Sequence, residues 1–275
     1  MSERRVRSVL FADAQIHVEA LGDEAVRLVA LMFRDMDTPA QPGLGPLFQI
    51  ERDAQGVWTV GSGARRYYTG PDAGDAAVAL QDVTSEALAA ACRNGLVLHA
   101  AAVAKGQVAV VLPGKTGAGK TTLTAHLVRR GFTYLTDELT YLPFGSSLVT
   151  GFPRPLGLKV SGRSLVETER WDVVPGSSTT LVLPEATLHA GAPATGPSAI
   201  VFPRFESGAQ VSALPLTAAA TALRLMGTLL NARNLDGHGF AEVTAAARRT
   251  CGFELTFGDA REAADEVCGL LESIG

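Results

Sequence analysis

Apolar and polar positions alternate through much of the first eighty residues. Gln15-Ile16-His17-Val18-Glu19 and Phe48-Gln49-Ile50-Glu51 follow the two-residue period of half-buried strands. Val57-Trp58-Thr59-Val60 and Arg66-Tyr67-Tyr68 read as further short strands. Val26 to Phe33 is a longer apolar piece that fits either a strand or a short helix. Pro39 to Pro46 reads as a loop. No catalytic constellation appears in this β-rich stretch, and His17 reads as a structural residue of its strand.

The pattern changes after residue 75. Asp75 to Asn94 is alanine-rich and helical, with Gly95 at its predicted stop. Two apolar runs follow, Leu96 to Val103 and Val108 to Leu112, joined by a short link containing Gly106. Runs so closely joined predict an antiparallel hairpin. Helical spacing returns from Thr121 to Arg130, with Leu123 and Leu127 on one face and Gly131 at the end. Phe132 to Thr136 is a short strand that ends on Asp137 and Glu138.

Downstream, Ala199 to Phe205 predicts a strand whose Pro203 marks an edge or a bulge. Thr217 to Asn231 predicts an apolar helix with Leu223, Met226 and Leu230 in register, Met226 as core. Phe240 to Thr250 is a second helix, and Phe253 to Phe257 alternates as a strand. Asp259-x-x-Glu262 has the spacing of a capping box and opens a last helix, with Ala263, Val267 and Leu270 buried. Residues 171–198 are rich in Pro, Gly, Ser and Thr and predict a long loop of the lid or binding type.

Between the hairpin and the helix stands Gly114-Lys115-Thr116-Gly117-Ala118-Gly119-Lys120-Thr121, which reads G-x-x-x-x-G-K-T. Strand, glycine loop and helix come in the order a phosphate site needs. Glycines let backbone N–H groups turn toward phosphate oxygens, and a helix N-terminus adds a positive dipole end. In this pattern Lys120 reaches the β- and γ-phosphates, the Thr121 hydroxyl ligates Mg²⁺, and Thr122 continues the nucleotide-binding turn. A right-handed crossover from this strand predicts that Asp137 and Glu138 emerge at the same sheet end, where ligands of such sheets bind. There an acid holds Mg²⁺ through water or takes a proton from an attacking hydroxyl. A solvated strand end is the plainer alternative. Arg204 is read either as reaching the transferring phosphoryl group or as pairing with an acid. Arg154 and Lys159, set among Pro153 and Pro155, read either as rigidly presented cations or as part of a surface connector.

Composition narrows the class. The 275 residues are 47% hydrophobic and 19% charged, with a net charge of −4. A basic nucleic-acid-binding face is not indicated. Cys92, Cys251 and Cys268 are far apart, without metal-ligand spacing, and fit small buried hydrophobes in a reduced cytoplasm. The basic start lacks the apolar core of a signal peptide, and no apolar run is long enough to span a bilayer. These features predict a cytoplasmic protein without membrane or nucleic-acid partners.

Leu98-His99-Ala100-Ala101-Ala102-Val103, the Gly114–Thr121 loop and Tyr134-Leu135-Thr136-Asp137-Glu138 together resemble the HPr kinase/phosphorylase family and its shorter HPr-kinase-related relatives. Phe152-Pro153-Arg154-Pro155 and Val201-Phe202-Pro203-Arg204 look like the related-kinase branch. The resemblance implies an α/β fold, a phosphate-loop mixed sheet of the phosphoenolpyruvate-carboxykinase type. The small β-rich region would then span residues 1–80 and the catalytic domain residues 81–275. It implies Asp137 as catalytic acid/base, Glu138 as a second acid near the metal, and His99 hydrogen-bonded near the catalytic acid. ATP and Mg²⁺ are the expected cofactors. The expected activity is phosphoryl transfer to a serine of a protein or peptide, natural-product precursor peptides included, and a homo-oligomer is allowed. A small-metabolite kinase and a nucleotide-binding regulatory module are the alternatives.

Overall fold

The structure is a computed structural model that describes residues 3–36, 38, 43–106, 108–159, 166, 171–185 and 197–274. The chain begins with β1 (Arg4–Phe11), β2 (Ala14–Leu21), α1 (Asp23–Met32), β3 (Leu47–Arg52), β4 (Trp58–Ser62), β5 (Arg65–Gly70) and α2 (Ala73–Ala91). Next come β6 (Gly95–Lys105), β7 (Val108–Pro113), α3 (Lys120–Arg129), β8 (Thr133–Thr136), β9 (Leu139–Pro143) and β10 (Thr150–Gly151). Then follow β11 (Leu156–Lys159), β12 (Asp172–Val174), β13 (Thr179–Leu183), β14 (Pro197–Phe205) and β15 (Ser212–Leu216). The chain ends with α4 (Ala218–Met226), α5 (Phe240–Arg248), β16 (Cys251–Phe257) and α6 (Ala260–Ile274). The architecture is mixed α/β with a β-rich N-terminal region. Contacts divide it into two compact units, 1–92 with 153–185, and 93–152 with 186–275.

In the first unit, β1 to β5 form one sheet in sequence order. Only β2 and β3 pair parallel. β2 buries Ala14, Ile16, Val18 and Ala20 at alternate positions, as its pattern predicts. The Val26–Phe33 piece resolves as helix: α1 buries Ala25, Leu28, Val29 and Met32. The four residues 39–42 of the predicted Pro39–Pro46 loop lie outside the described residues. His17 is structural as expected, its ring nitrogens bonded within the strand pair and loop to Ser8 Oγ (2.8 Å) and the Gly43 carbonyl (3.0 Å).

Several expectations change here. α2 stops at Ala91, not Gly95, because Cys92 leaves the helix in an extended conformation. Burial pushes the Cys92 thiol pKa up to about 12, with Asp13 adding to the rise. Cys251, by contrast, is exposed rather than buried. The 171–185 part of the predicted loop is folded: β11, β13 and β12 make a small antiparallel sheet. Its β13 buries Thr180 to Leu183, the apolar interruption seen in the sequence. Residues 186–196 of that predicted loop lie outside the described residues. Arg154 is not presented to solvent. It is buried against α2, with Nη1 donating to Ser85 Oγ at 3.2 Å and Nη2 3.6 Å from Asp82. Lys159 ends β11 and is exposed.

The second unit carries an eight-stranded sheet in the order β10-β9-β6-β7-β14-β16-β15, with β8 also pairing β6. The predicted hairpin is present: β6 and β7 are antiparallel, Ala100 facing Pro113 and Lys105 facing Val108. β8 is antiparallel to β6 and therefore parallel to β7, so the β7–α3–β8 crossover steps over β6. β14 lies inside the sheet, parallel to both β7 and β16, rather than at an edge. Its ladder with β7 reaches only Ile200, so Pro203, which has no N–H, sits beyond that ladder. Leu98, Ala100, Ala102, Val111 and Ile200 line one face of the sheet and pack with Leu225, Val243 and Ala246. Among the described residues no helix is long and apolar enough to cross a membrane.

α4 is shorter than expected and buries a different face. Thr217 caps it through Ala220 N–H, and Thr221, Ala222 and Leu225 are buried, while Leu223 is 76% exposed. The helix ends at Met226 because the following residues leave to pair with β6. At α6, Asp259 Oδ1 accepts the Arg261 N–H at 2.6 Å, one position earlier than a capping box would use. Ala263 and Val267 are buried as predicted, Leu270 only partly.

The corrected face of α4 has a measurable consequence. Leu225→Ala should destabilise the protein by about 2–5 kcal/mol, and Leu223→Ala by less than about 0.5 kcal/mol, in urea unfolding. Equal losses would restore the face predicted from the sequence.

Candidate functional site

β7 delivers the glycine loop, and α3 begins directly after it at Lys120. Gly119 is left-handed, at φ 91° and ψ 6°. A Cβ there would lie 2.7 Å from Phe257 Cζ and 3.3 Å from Phe205 Cβ, so both backbone and space demand glycine. The loop is fastened at two further points. The Ala118 N–H donates to the Lys115 carbonyl at 3.2 Å, and the Ala118 carbonyl accepts the Phe205 N–H at 3.2 Å. The second bond ties the loop to the carboxyl end of β14. Lys115, Thr116 and Gly117 remain exposed. The first turn of α3 carries no acidic residue and no side-chain cap. First-turn N–H groups have no intrahelical acceptor, so this end favours an anion.

Lys120 is only 6% exposed. Its ammonium donates to the Gly114 carbonyl at 2.5 Å and the Lys115 carbonyl at 3.2 Å, which draws the loop around it. It also lies 3.2 Å from His99 Nε2. The same nitrogen is 3.1 Å from Glu138 Oε1. One ring nitrogen thus stands between a cation and a carboxylate. Protonated, Nε2 donates to Glu138; bare, it accepts from Lys120.

The backbone fixes this arrangement. The Gly114 N–H reaches the His99 carbonyl at 3.4 Å, and the Ala100 N–H donates to the Glu138 carbonyl at 3.0 Å. The buried Thr136 hydroxyl accepts the N–H groups of Glu138 and Leu139, both at 3.2 Å, shaping the turn that carries the acids. Asp137 is buried and accepts from the Tyr134 hydroxyl at 3.4 Å. The structure therefore brings Lys120 and Glu138 to the same nitrogen of His99. Asp137, next in the chain, bonds to Tyr134. Thr121 and Thr122 stand half-buried in the first turn of α3. Arg204 pairs with Glu206 at 2.6 Å, the acid-pairing alternative of its two readings, next to the residue that holds the loop.

Among the described residues no group of three or more His, Cys, Asp or Glu could hold a metal ion by itself. Mg²⁺ at a nucleotide site commonly takes one or two protein oxygens and completes its shell with phosphate and water. The hard oxygen donors at hand, the Thr121 hydroxyl and the Glu138 and Asp137 carboxyl groups, suit that chemistry.

The sequence reading missed the segment that walls His99 in. Thr228 and Leu230 leave α4 and run along the free edge of β6. The His99 N–H donates to the Thr228 carbonyl, and the Leu230 N–H to the Val97 carbonyl, both at 2.8 Å. Asn231, 1% exposed, then bonds β6 twice: Oδ1 accepts the Val97 N–H at 3.0 Å, and Nδ2 donates to the Gly95 carbonyl at 2.9 Å. The only signal was an asparagine closing an apolar run, which was read as a helix end.

Comparison of the chain with protein-family models and with curated proteins finds no match.

Two substitutions test this construction. Gly119→Ala should cost about 1–3 kcal/mol in urea unfolding, from left-handed strain and the clash with Phe257. Asn231→Ala leaves one N–H and one carbonyl of β6 without their partner and should cost about 2–5 kcal/mol. A loss under about 0.5 kcal/mol at either site would show that the position is not held as described.

Proposed function

We propose that this chain is an ATP- and Mg²⁺-dependent kinase that transfers a γ-phosphoryl group to a hydroxyl, most simply a serine of a protein or peptide. In this reading the sheet of the second unit is a phosphate-loop sheet of the phosphoenolpyruvate-carboxykinase and HPr-kinase type. One observation carries the proposal: the buried Lys120 ammonium, gripped by the glycine loop, lies against His99, which also contacts Glu138. A phosphate grip and an acid–base pair thus meet at one end of one sheet. The net charge of −4 and the scattered cysteines accord with a cytoplasmic enzyme without a nucleic-acid partner.

The parts divide the work as follows. The loop backbone and the start of α3 hold the phosphates, and Lys120 neutralises charge on the transferring group. The Thr121 hydroxyl and the Glu138 carboxylate would hold Mg²⁺, which would supply further neutralisation of the phosphates. Asp137 accepts the proton of the attacking hydroxyl as that oxygen bonds to phosphorus. The bond from phosphorus to the β–γ bridging oxygen breaks, and ADP departs with its electrons. His99 keeps the acidic turn and the loop in register. Arg204, released from Glu206, is the candidate cation for the outer phosphate.

The test is intact-mass spectrometry of candidate acceptors, including HPr and peptides encoded beside this gene, incubated with the protein, ATP and Mg²⁺. A gain of about 80 Da, one phosphoryl group, is expected on one of them. Asp137→Asn should cut that transfer by about 10²–10⁴-fold while nucleotide affinity stays within a few-fold. Lys120→Ala should weaken nucleotide binding itself. ATP consumption with a metabolite pool but no labelled macromolecule would move the acceptor to a small molecule. Tight nucleotide binding without any turnover would reject the kinase reading in favour of a regulatory module.

A further inference from the structure

In the order of the sheet, β7 stands between β6 and β14. The contacts of His99 with Lys120 and Glu138 lie on its β6 side. On the other side, β14 and β16 run in the same direction as β7, so their carboxyl ends open at the same end of the sheet as the glycine loop. Ligands of such sheets bind beyond those ends. β14 ends on Phe205 and β16 on Phe257, and the two residues are paired in register.

Phe257 is 1% exposed and packs against the loop at Gly119, where an added Cβ would lie 2.7 Å from its Cζ. Phe205 is 48% exposed. Its ring meets that of Phe257 edge to face, with centroids 5.9 Å apart and planes at 64°. Its backbone is pinned on both sides. The Phe205 N–H donates to the Ala118 carbonyl at 3.2 Å, and the Glu206 N–H donates to the Phe257 carbonyl at 2.9 Å. A lone exposed phenylalanine is ordinary. This one is a braced, flat apolar surface at the lip of a phosphate loop, and an inorganic phosphate chain offers nothing that such a ring binds. Arg204, one residue earlier, projects from the opposite face of β14 and leaves that surface open.

We propose that Phe205 is the stacking surface for the nucleobase of a nucleoside triphosphate whose phosphates lie on the Gly114–Thr121 loop. The site thereby takes a nucleotide as its phosphoryl donor rather than inorganic polyphosphate. The base lies on the β14 side of β7, away from the acids on the β6 side. Phenylalanine has few side-chain torsions to fix, so the ordering cost of stacking is small. This assignment rests on the phosphate-loop reading of the proposed function and adds to it the residue that reads the base.

The test is calorimetric titration of the full chain, with Mg²⁺, by ATP and by ribose 5-triphosphate, which keeps the sugar and phosphates and lacks the base. ATP should bind about tenfold more tightly. Phe205→Leu keeps apolar bulk against Phe257, and Phe205→Ala removes it. Both should lower ATP affinity about five- to tenfold while ribose 5-triphosphate stays within about twofold. Phe205→Trp should keep the preference for ATP, and its added indole fluorescence should be quenched by ATP and not by ribose 5-triphosphate. Equal binding of the two ligands by the unaltered chain overturns the stacking assignment and leaves the phosphate loop standing. So does a folded Phe205→Ala chain that keeps the preference for ATP, or one that loses both ligands alike, which would make Phe205 a support of the loop. Binding of neither ligand by the unaltered chain overturns the phosphate-loop reading and this assignment with it.

Discussion

The requirement that every buried backbone group find a partner governs the second unit, and β6 is where it bears hardest. β6 has eleven residues and β7 only six. From Ala100 to Lys105 the hairpin satisfies one edge of β6. From Gly95 to His99 the strand overhangs the glycine loop, and its bonds must come from elsewhere. β9 supplies one edge, with Gly95 facing Pro143 and His99 facing Leu139. The Thr228–Asn231 segment supplies the other. His99 sits at the changeover, beside the residue that faces the last residue of β7. Its position opposite Lys120 therefore follows from where β7 ends.

That constraint also explains which features the sequence made legible. The hairpin, the glycine loop and α3 are local. Their turns, apolar runs and glycines lie within a few residues of one another, so periodicity and motif suffice. The mixed α/β class and the β-rich N-terminal region are legible for the same reason. α4 was misread because its apolar stretch runs on through Leu229 and Leu230, although those residues serve strand pairing with β6. Helical periodicity cannot register a competing partner more than a hundred residues away. Residues 171–185 were misread because short strands separated by Pro and Gly resemble a loop until a neighbouring strand pairs with them. Arg154 presents the same difficulty in a side chain. Its acceptors, Ser85 and Asp82, lie about seventy residues earlier, and a cation between two prolines looks exposed without them.

Within the candidate site, the residue types were legible and their pairing was not. The glycine motif marked Lys120, and the strand-end acids marked Asp137 and Glu138. Which acid faces the loop depends on one turn. Thr136 accepts the N–H groups of Glu138 and Leu139, and in that turn Glu138 reaches His99 while Asp137 is buried beside Tyr134. Two adjacent carboxylates thereby acquire unlike surroundings, one partly exposed at His99 and one buried beside Tyr134. Adjacent acids in unlike surroundings are the usual basis for dividing metal holding from proton transfer.

The contact at His99 Nε2 adds a constraint on any anion that enters the loop. An ammonium has three protons to donate. The contacts of Lys120 include the Gly114 and Lys115 carbonyls and His99. A bare Nε2 accepts one of its protons. A protonated Nε2 instead gives its own proton to Glu138 and no longer accepts from the ammonium. In the proposed reading, phosphate oxygens near Lys120 would compete with the loop's own carbonyls and with the imidazole. The state of the histidine and carboxylate sets how strongly the lysine can answer. In the proposed kinase, phosphate grip and acid–base chemistry, written as separate functions in the sequence motifs, would be joined through one nitrogen atom.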